Sequence, residues 1–289
     1  MTTILLQQAL NGVILGCIYA LIALGLSLVF GILEVANFAH GEFYMLGAFM
    51  ALFSMTLFGV PFFVALLIAM VGMAVFGALT ERIAFRPVIG KPMINNMLLS
   101  FGLSIALANL ALYIFKADPR KIESGLAGIR FKFFGLFLTG ERLTILILST
   151  TLVLALAWFI QYTRTGKSMR AVAQDRVAAQ LAGINVRRIY SITFAISGAL
   201  AAAAGTMVGA MFLVSPEMGF TVVLKSFVIV ILGGFGKIRG VIIAAILIGL
   251  VESLGGGFIS YAYKDAYPFI LLVLLFIFKP EGLTGGDKR

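Results

Sequence analysis

The chain has 289 residues, of which 61% are hydrophobic and 12% charged, and its formal net charge is +10. The charged share is about half that of ordinary soluble domains, and the apolar residues stand in long runs, which excludes a soluble globular fold. The runs lack the period of two of a transmembrane β-barrel, and the basic residues flank them as positive-inside charge does, so a nucleic-acid partner is excluded too.

Nine hydrophobic runs follow one another: 10–30, 41–57, 62–80, 94–115, 142–160, 189–213, 220–236, 240–258 and 267–278. The seven prolines, Pro61, Pro87, Pro92, Pro119, Pro216, Pro268 and Pro280, stand at run ends or in connections. There the missing amide donor does least harm to a helix. Several runs approach the ~20 residues that cross ~30 Å of hydrocarbon, and helices satisfy their own backbone in lipid. The expected fold is all-α: a polytopic transmembrane helical bundle over residues 1–289 as a single domain. It should have about 8–9 spans, with discontinuous or re-entrant segments allowed because the last runs are short.

The first run has no basic leader ahead of it, so it is expected to remain as a span. Gly12 and Gly16 lie on one helix face, suited to close packing within the subunit or against another. Cys17 is the only cysteine, which rules out an intrachain disulfide and makes a small packing residue the natural reading.

The next connection is unusual. Gly31-Ile32-Leu33-Glu34-Val35-Ala36-Asn37-Phe38-Ala39-His40-Gly41-Glu42 places three ionisable residues, including the only histidine, inside hydrophobic sequence. A second interruption, Gly233-Gly234-Phe235-Gly236-Lys237-Ile238-Arg239-Gly240, comes near the end of the membrane region. Paired glycine interruptions point to discontinuous helices around a transport path, and equally suit two tight polar turns. The path residues expected from these segments are Asn37, His40, Gly41, Glu42, Gly233, Gly234 and Gly236, with the two interruptions facing each other. Glu252, in Leu250-Val251-Glu252-Ser253-Leu254, joins them as an intramembrane carboxylate, or else bonds across the bundle as a helix-end residue. Lys225, near one end of its run, is expected to snorkel to the interface. His40 as a proton relay would require acidic partners within several spans, and the spans are nearly free of carboxylates.

Two long polar connections occupy 116–141 and 161–188. In the second, Arg164 to Asn185 is alanine-rich and is expected to form one short helix ended near Gly183. Met169, Val172 and Leu181 form no clean apolar stripe, so docking to a soluble partner explains the segment better than adsorption to lipid. Later, Gly198 to Gly205 is almost entirely small residues, and Gly205 and Gly209 share a face, another close-packing signal.

Alternating sides through the nine runs assigns 14 of the 22 basic residues to one side and 8 to the other. The richer side collects the connections near 31–41, 81–93, 161–188 and 237–239 and the C-terminal tail, and is expected to be cytoplasmic. The poorer side holds Lys116, Arg120, Lys121, Arg130, Lys132 and Arg142, partly offset by Asp118, Glu123 and Glu141. No nucleotide-binding Gly-x4-Gly-Lys-Ser/Thr pattern is present. Gly236-Lys237 is followed by isoleucine, and Gly166-Lys167-Ser168 has Gln161 where the first glycine is required. With one histidine and no aspartate in a span, an intramembrane hydrolase is not expected.

Blocks spread along nearly the whole chain resemble a known family. They are Asn11-Gly12 with Tyr19-Ala20-Leu21, Asn37-Phe38-Ala39-His40-Gly41-Glu42, and the arginine-alanine segment through Gly183-Ile184. Phe194 with Ala201 to Gly205, Val230-Ile231-Leu232-Gly233-Gly234, and Lys279-Pro280-Glu281-Gly282-Leu283 complete the set. The chain is similar to the permease subunits of branched-chain amino acid ABC importers, in particular to the shorter of the two. That resemblance implies a second homologous permease, two ATPase subunits that use ATP, an extracytoplasmic substrate-binding protein, and a bacterial or archaeal cytoplasmic membrane. It implies no cofactor or metal on this chain. It makes 164–184 the segment that couples to the ATPase, with Arg170, Asp175, Arg176 and Gly183 as its expected residues. Urea or short amides remain alternative substrates within the family. A stand-alone secondary transporter or channel, using His40 with Glu42 or Glu252, is the alternative from another class.

Overall fold

The computed structural model of the protein describes residues 2–126, 128–133 and 135–278. The Lys279–Leu283 block and the rest of the tail lie outside the described residues.

All nine apolar runs form helices. In chain order they are α1 (Thr2–Leu33), α2 (His40–Phe58), α3 (Phe62–Thr80), α4 (Met93–Phe115), α5 (Gly140–Tyr162), α8 (Val186–Met211), α9 (Met218–Gly233), α10 (Ile238–Phe258) and α11 (Tyr267–Phe278), with two polar helices, α6 (Arg164–Gln174) and α7 (Arg176–Leu181), between α5 and α8. Among the described residues, seven helices are long and apolar enough to cross a membrane: α1, α2, α3 with the π-helical turn Glu81–Phe85, α4, α5, α8 and α10. At 16 and 12 residues, α9 and α11 are shorter. Their lengths of about 24 and 18 Å fall below the ~30 Å hydrocarbon thickness.

Local chemistry sets the helix ends. Gly59 takes φ +64 after α2, and Pro61 precedes α3, a common stop-and-restart pair. The side chains of Thr139, Thr163, Asp175 and Asn185 accept backbone N–H bonds at the starts of α5, α6, α7 and α8. Asp175 corrects the expectation of one helix over 164–184. Its Oδ1 accepts from Val177 N and Ala178 N, so it starts a second helix instead of continuing the first. Gly183, at φ +82, follows that helix end as expected.

Helices α1 and α8 lie at the centre, while α4 is mostly peripheral: 78%, 72% and 17% of their membrane windows are buried. Glycines bring the central helices together. A methyl group on Gly12 would lie 2.8 Å from Leu250 Cα, and one on Gly16 would lie 2.7 Å from Ile246 Cα, so this pair packs α1 on α10. Gly205 lies against the Tyr44 carbonyl of α2, and Gly198 against the Met73 carbonyl of α3. The small residues therefore serve packing inside this subunit, by van der Waals contact.

Two short antiparallel ribbons, absent from the sequence expectation, cap one end. β1 (Arg120–Lys121) pairs with β4 (Leu213–Val214), and β2 (Arg130–Phe133) with β3 (Leu136–Thr139). Gln7 of α1 bonds Phe137 of β3, and Ser253 of α10 bonds Gln8. The connections assigned to the basic-poor side thus gather at this end. At the other end Arg86 reaches Ser191 and the Arg187 carbonyl, and Gly31 meets Gly236.

Candidate functional site

Glu34 ends α1 with a left-handed φ of +56. The chain then doubles back. At the start of α2, His40 Nε2 lies 2.9 Å from the Ile22 carbonyl, eleven residues before the end of α1. Helix α2 therefore begins about 16 Å back along α1. The carbonyl requires a proton on Nε2, which leaves Nδ1 to accept from Ser197 of α8 at 3.2 Å. Both ring nitrogens are engaged, so His40 anchors α2 to the two central helices. Gly41 lies in contact with the Gly219 carbonyl at the start of α9, where no side chain fits.

The residues around these anchors form a polar seam against α4. Ser100 donates to the Ala36 carbonyl at 3.0 Å, and Ser104 donates to Glu42 Oε1 at 3.0 Å. Asn96, Ser100 and Ser104 recur every fourth residue, so one largely apolar helix turns a buried polar edge inward. Asn37, Glu42 and Asn96 are all buried, yet both polar atoms of Asn37, Oε2 of Glu42 and Oδ1 of Asn96 have no hydrogen-bond partner among the described residues. The sequence reading named Asn37 and Glu42 but missed the α4 edge, which its four-residue spacing displays.

The second interruption is a turn between α9 and α10. Gly234 and Gly236 take φ of +89 and +73. A Cβ on Gly233 would lie 2.5 Å from Val241 N. Gly236 N donates to Ser27 Oγ at 3.0 Å, and Phe235 packs on Phe30 with centroids 4.0 Å apart. The expected facing of the two interruptions is thereby corrected. They touch through Gly31 and Gly236, whereas Gly41 and Glu42 lie at the far end of α9, about 20 Å away along its axis.

Glu252 does bond across the bundle, and its partner corrects the reading of Lys225. Lys225 is buried rather than snorkelling: its Nζ lies 2.8 Å from Glu252 and 2.7 Å from Asp265, and donates to Tyr19 at 3.1 Å. Tyr19 donates in turn to Glu252 Oε2 at 2.9 Å. The cluster lines a cavity of about 490 Å³ at the ribbon-capped end, with Gln8, Asn11 and Arg142 nearby. One lysine and one glutamate, alone as charges in adjacent runs, were the signal for this pair.

The coupling residues fall elsewhere. Met169 and Val172 are buried and seat α6 on the bundle, whereas Arg170, Asp175, Arg176 and Gly183 are exposed, as are Val177 and Leu181 on α7. Beside them a clamp unseen in the sequence fixes the 81–93 connection. Buried Glu81 binds Arg86 through two bonds, at 3.0 and 2.6 Å, and accepts from Ser191 at 2.7 Å. Hydrogen bonding to Glu81 holds the Arg86 guanidinium above its ordinary pKa. No group of three or more His, Cys, Asp or Glu suited to a metal occurs among the described residues.

A multi-helix membrane bundle with a doubled-back first connection and a polar seam defines an integral membrane protein of the permease type. The family described as the branched-chain amino acid transport system / permease component matches residues 8–278, and the chain belongs to it. It is 36% identical to the high-affinity branched-chain amino acid transport system permease protein LivH of Escherichia coli (strain K12), over 97% of this chain and 95% of that one. It is 34% identical to BraD of Pseudomonas aeruginosa over the same shares. It is also 30% identical to LivM of Escherichia coli (strain K12), over 92% of this chain and 67% of that protein.

Proposed function

We propose that this chain forms part of the membrane path of an ATP-driven importer for leucine, isoleucine, valine or a closely related small amino acid. The relatives' names support the substrate class. The seam between residues 36–42 and α4 supports the path: Asn37, Glu42 and Asn96 hold buried polar atoms without hydrogen-bond partners among the described residues, at a cost of about 1–3 kcal/mol each. Capacity left open at that cost serves a solute that passes. His40, Gly41, Gly233, Gly234 and Gly236 shape the path through the backbone, and Glu252 through its bond to Lys225.

The remaining parts follow the division of labour of such importers. Residues 1–289 act as one permease domain, and a second, related permease completes the path; similarity to both LivH and LivM supports such pairing. Two ATPase subunits consume the ATP and dock on α6–α7 through Arg170, Asp175 and Arg176. A binding protein delivers substrate at the ribbon-capped end. The basic-rich end, with the C-terminus, faces the cytoplasm of a bacterium or archaeon, and α9 and α11 complete the crossings. The Lys225–Glu252–Asp265 cluster, in which Lys225 and Glu252 are buried, favours one competitor, an ion-coupled carrier that works alone; urea and short amides are the competing substrates.

Reconstitution separates these readings. Vesicles holding this chain, its partner permease, the ATPases and the binding protein should accumulate leucine only with ATP. Accumulation by this chain alone, driven by an ion gradient, would overturn the proposal.

A further inference from the structure

Of two cavities lined by buried charge, one carries both signs and the other, among the described residues, only negative ones. The second cavity, about 530 Å³, is lined by Glu42, Ser104, Asn109, Glu217 and Thr221 on its polar side. Ile105, Leu112 and Phe220, all exposed on α4 and α9, give this open cavity its apolar walls. Among the described residues its charged lining is Glu42 and Glu217, with no lysine or arginine. The volume suits a small ligand.

Glu42 is 2% exposed. Its Oε1 accepts from Ser104, and its Oε2 has no partner among the described residues. The carboxylate sits where two helices begin. Glu42 belongs to the first turn of α2, and a methyl group on Gly219, in the first turn of α9, would lie 2.9 Å from Oε2. Helix N-termini favour an anion. The site therefore holds a carboxyl group, leaves one of its oxygens without a partner among the described residues, and opens beside it a chamber that is part apolar.

We propose that Glu42 Oε2 binds the ammonium group of the transported amino acid, while Ile105, Leu112 and Phe220 take its aliphatic side chain. This assignment rests on the import reading above and adds a contact point to it. An ammonium carries three N–H donors, so Glu42 Oε2 and the Thr221 hydroxyl are acceptors of the right kind on the same wall. The apolar wall explains how one site accepts leucine, isoleucine and valine without distinguishing them strongly, since one methylene in a hydrophobic pocket is worth only about 1–3 kcal/mol.

The test reads the site's charge directly, in the assembled complex with Cys17→Ala and Asn109→Cys. A trimethylammonium-bearing thiosulfonate should be favoured over a sulfonate-bearing one at position 109 by a ratio about tenfold above the ratio the two reagents show with a small free thiol, as expected beside an uncompensated carboxylate. Leucine should slow the cationic reaction, and 4-methylpentanoate, the same skeleton without the amine, should not. Glu42→Gln should slow the cationic reaction and speed the sulfonate one until their ratio matches that of a small free thiol, and abolish protection by leucine, while the melting temperature stays unchanged. If that variant fails to assemble, Glu42→Asp, which keeps the charge but withdraws it, should retain the cationic preference with weaker protection. Rates that ignore Glu42→Gln, or equal protection by leucine and 4-methylpentanoate, would overturn the proposal. So would a Glu42-dependent cationic preference without leucine protection, which would assign the site to another cation, such as a lysine of the partner permease. ATP-driven leucine uptake by the wild-type complex tests the import reading separately. Its absence with the labelling pattern intact would remove that reading and leave the ammonium site.

Discussion

Two charged sites lie along α9, and they are built on opposite terms. Around Lys225, the ammonium meets Tyr19, Glu252 and Asp265, and Tyr19 closes the ring by donating to Glu252. Around Glu42, one oxygen accepts from Ser104 and the other has no hydrogen-bond partner among the described residues, while Asn37 and Asn96 add further unmatched groups to the same seam. In a low-dielectric interior, a closed polar network fixes geometry, and an open one keeps binding capacity in reserve. The comparison assigns structure to the first site and recognition to the second.

The largest test of that division is removal of Lys225. Lys225→Met leaves Glu252 buried without its cation, and loss of one partner of a buried pair costs about 3–5 kcal/mol. Glu252→Gln should cost less, because Lys225 keeps Asp265, and Lys225→Met/Glu252→Gln should recover much of the loss. Thermal unfolding of the detergent-solubilised protein measures all three. A wild-type melting temperature for Lys225→Met would make this cluster the expendable one and reverse the comparison.

Gly41 comes next, since it sets the seam without contributing polarity. The Gly219 carbonyl occupies the space a Cβ would need, so Gly41→Val should force α2 and α9 apart at a cost of about 1–3 kcal/mol and stop uptake. Gly234→Val acts through strain instead, at φ +89, with a cost of about 1–3 kcal/mol. It lies at the other end of α9 and should leave the labelling pattern beside Glu42 intact. If both variants altered that pattern equally, the seam would not be a local structure.

Much of the bundle was legible because apolar length and glycine spacing are local properties. Nine runs became nine helices, and Gly12, Gly16, Gly198 and Gly205 became close contacts. Properties that depend on a distant partner were misread. Lys225 looked like a snorkelling side chain because its acceptors stand 27 and 40 residues later and on α1. Asp175 looked like an ordinary position in an alanine-rich helix, although aspartate competes for backbone N–H groups and favours caps over interiors. The ribbon strands are two to four residues long, too short to show a period. Asn96, Ser100 and Ser104 were readable by spacing, but each is mild enough to pass unnoticed within an apolar run.

The smallest effects give the most direct comparison, because single hydroxyls can be removed from each site. Tyr19→Phe deletes a donor to Glu252 and an acceptor for Lys225, both charged and both enclosed. Hydrogen bonds to charged groups contribute about 1.5–3 kcal/mol, and this substitution removes two of them at once. Ser104→Ala deletes the donor to Glu42 Oε1, beside a chamber of about 530 Å³ that water can enter. A bridging water is nearly as good as a direct bond, so the loss should stay below about 1 kcal/mol. Uptake should show the reverse ranking. Tyr19→Phe should lower transport only in proportion to lost protein, whereas Ser104→Ala should raise the leucine concentration needed for half-maximal uptake, because a free Oε1 reorients the carboxylate that receives the ammonium. A larger stability loss for Ser104→Ala than for Tyr19→Phe would show that the Glu42 seam holds the bundle together, and that its unbonded oxygen is a packing defect.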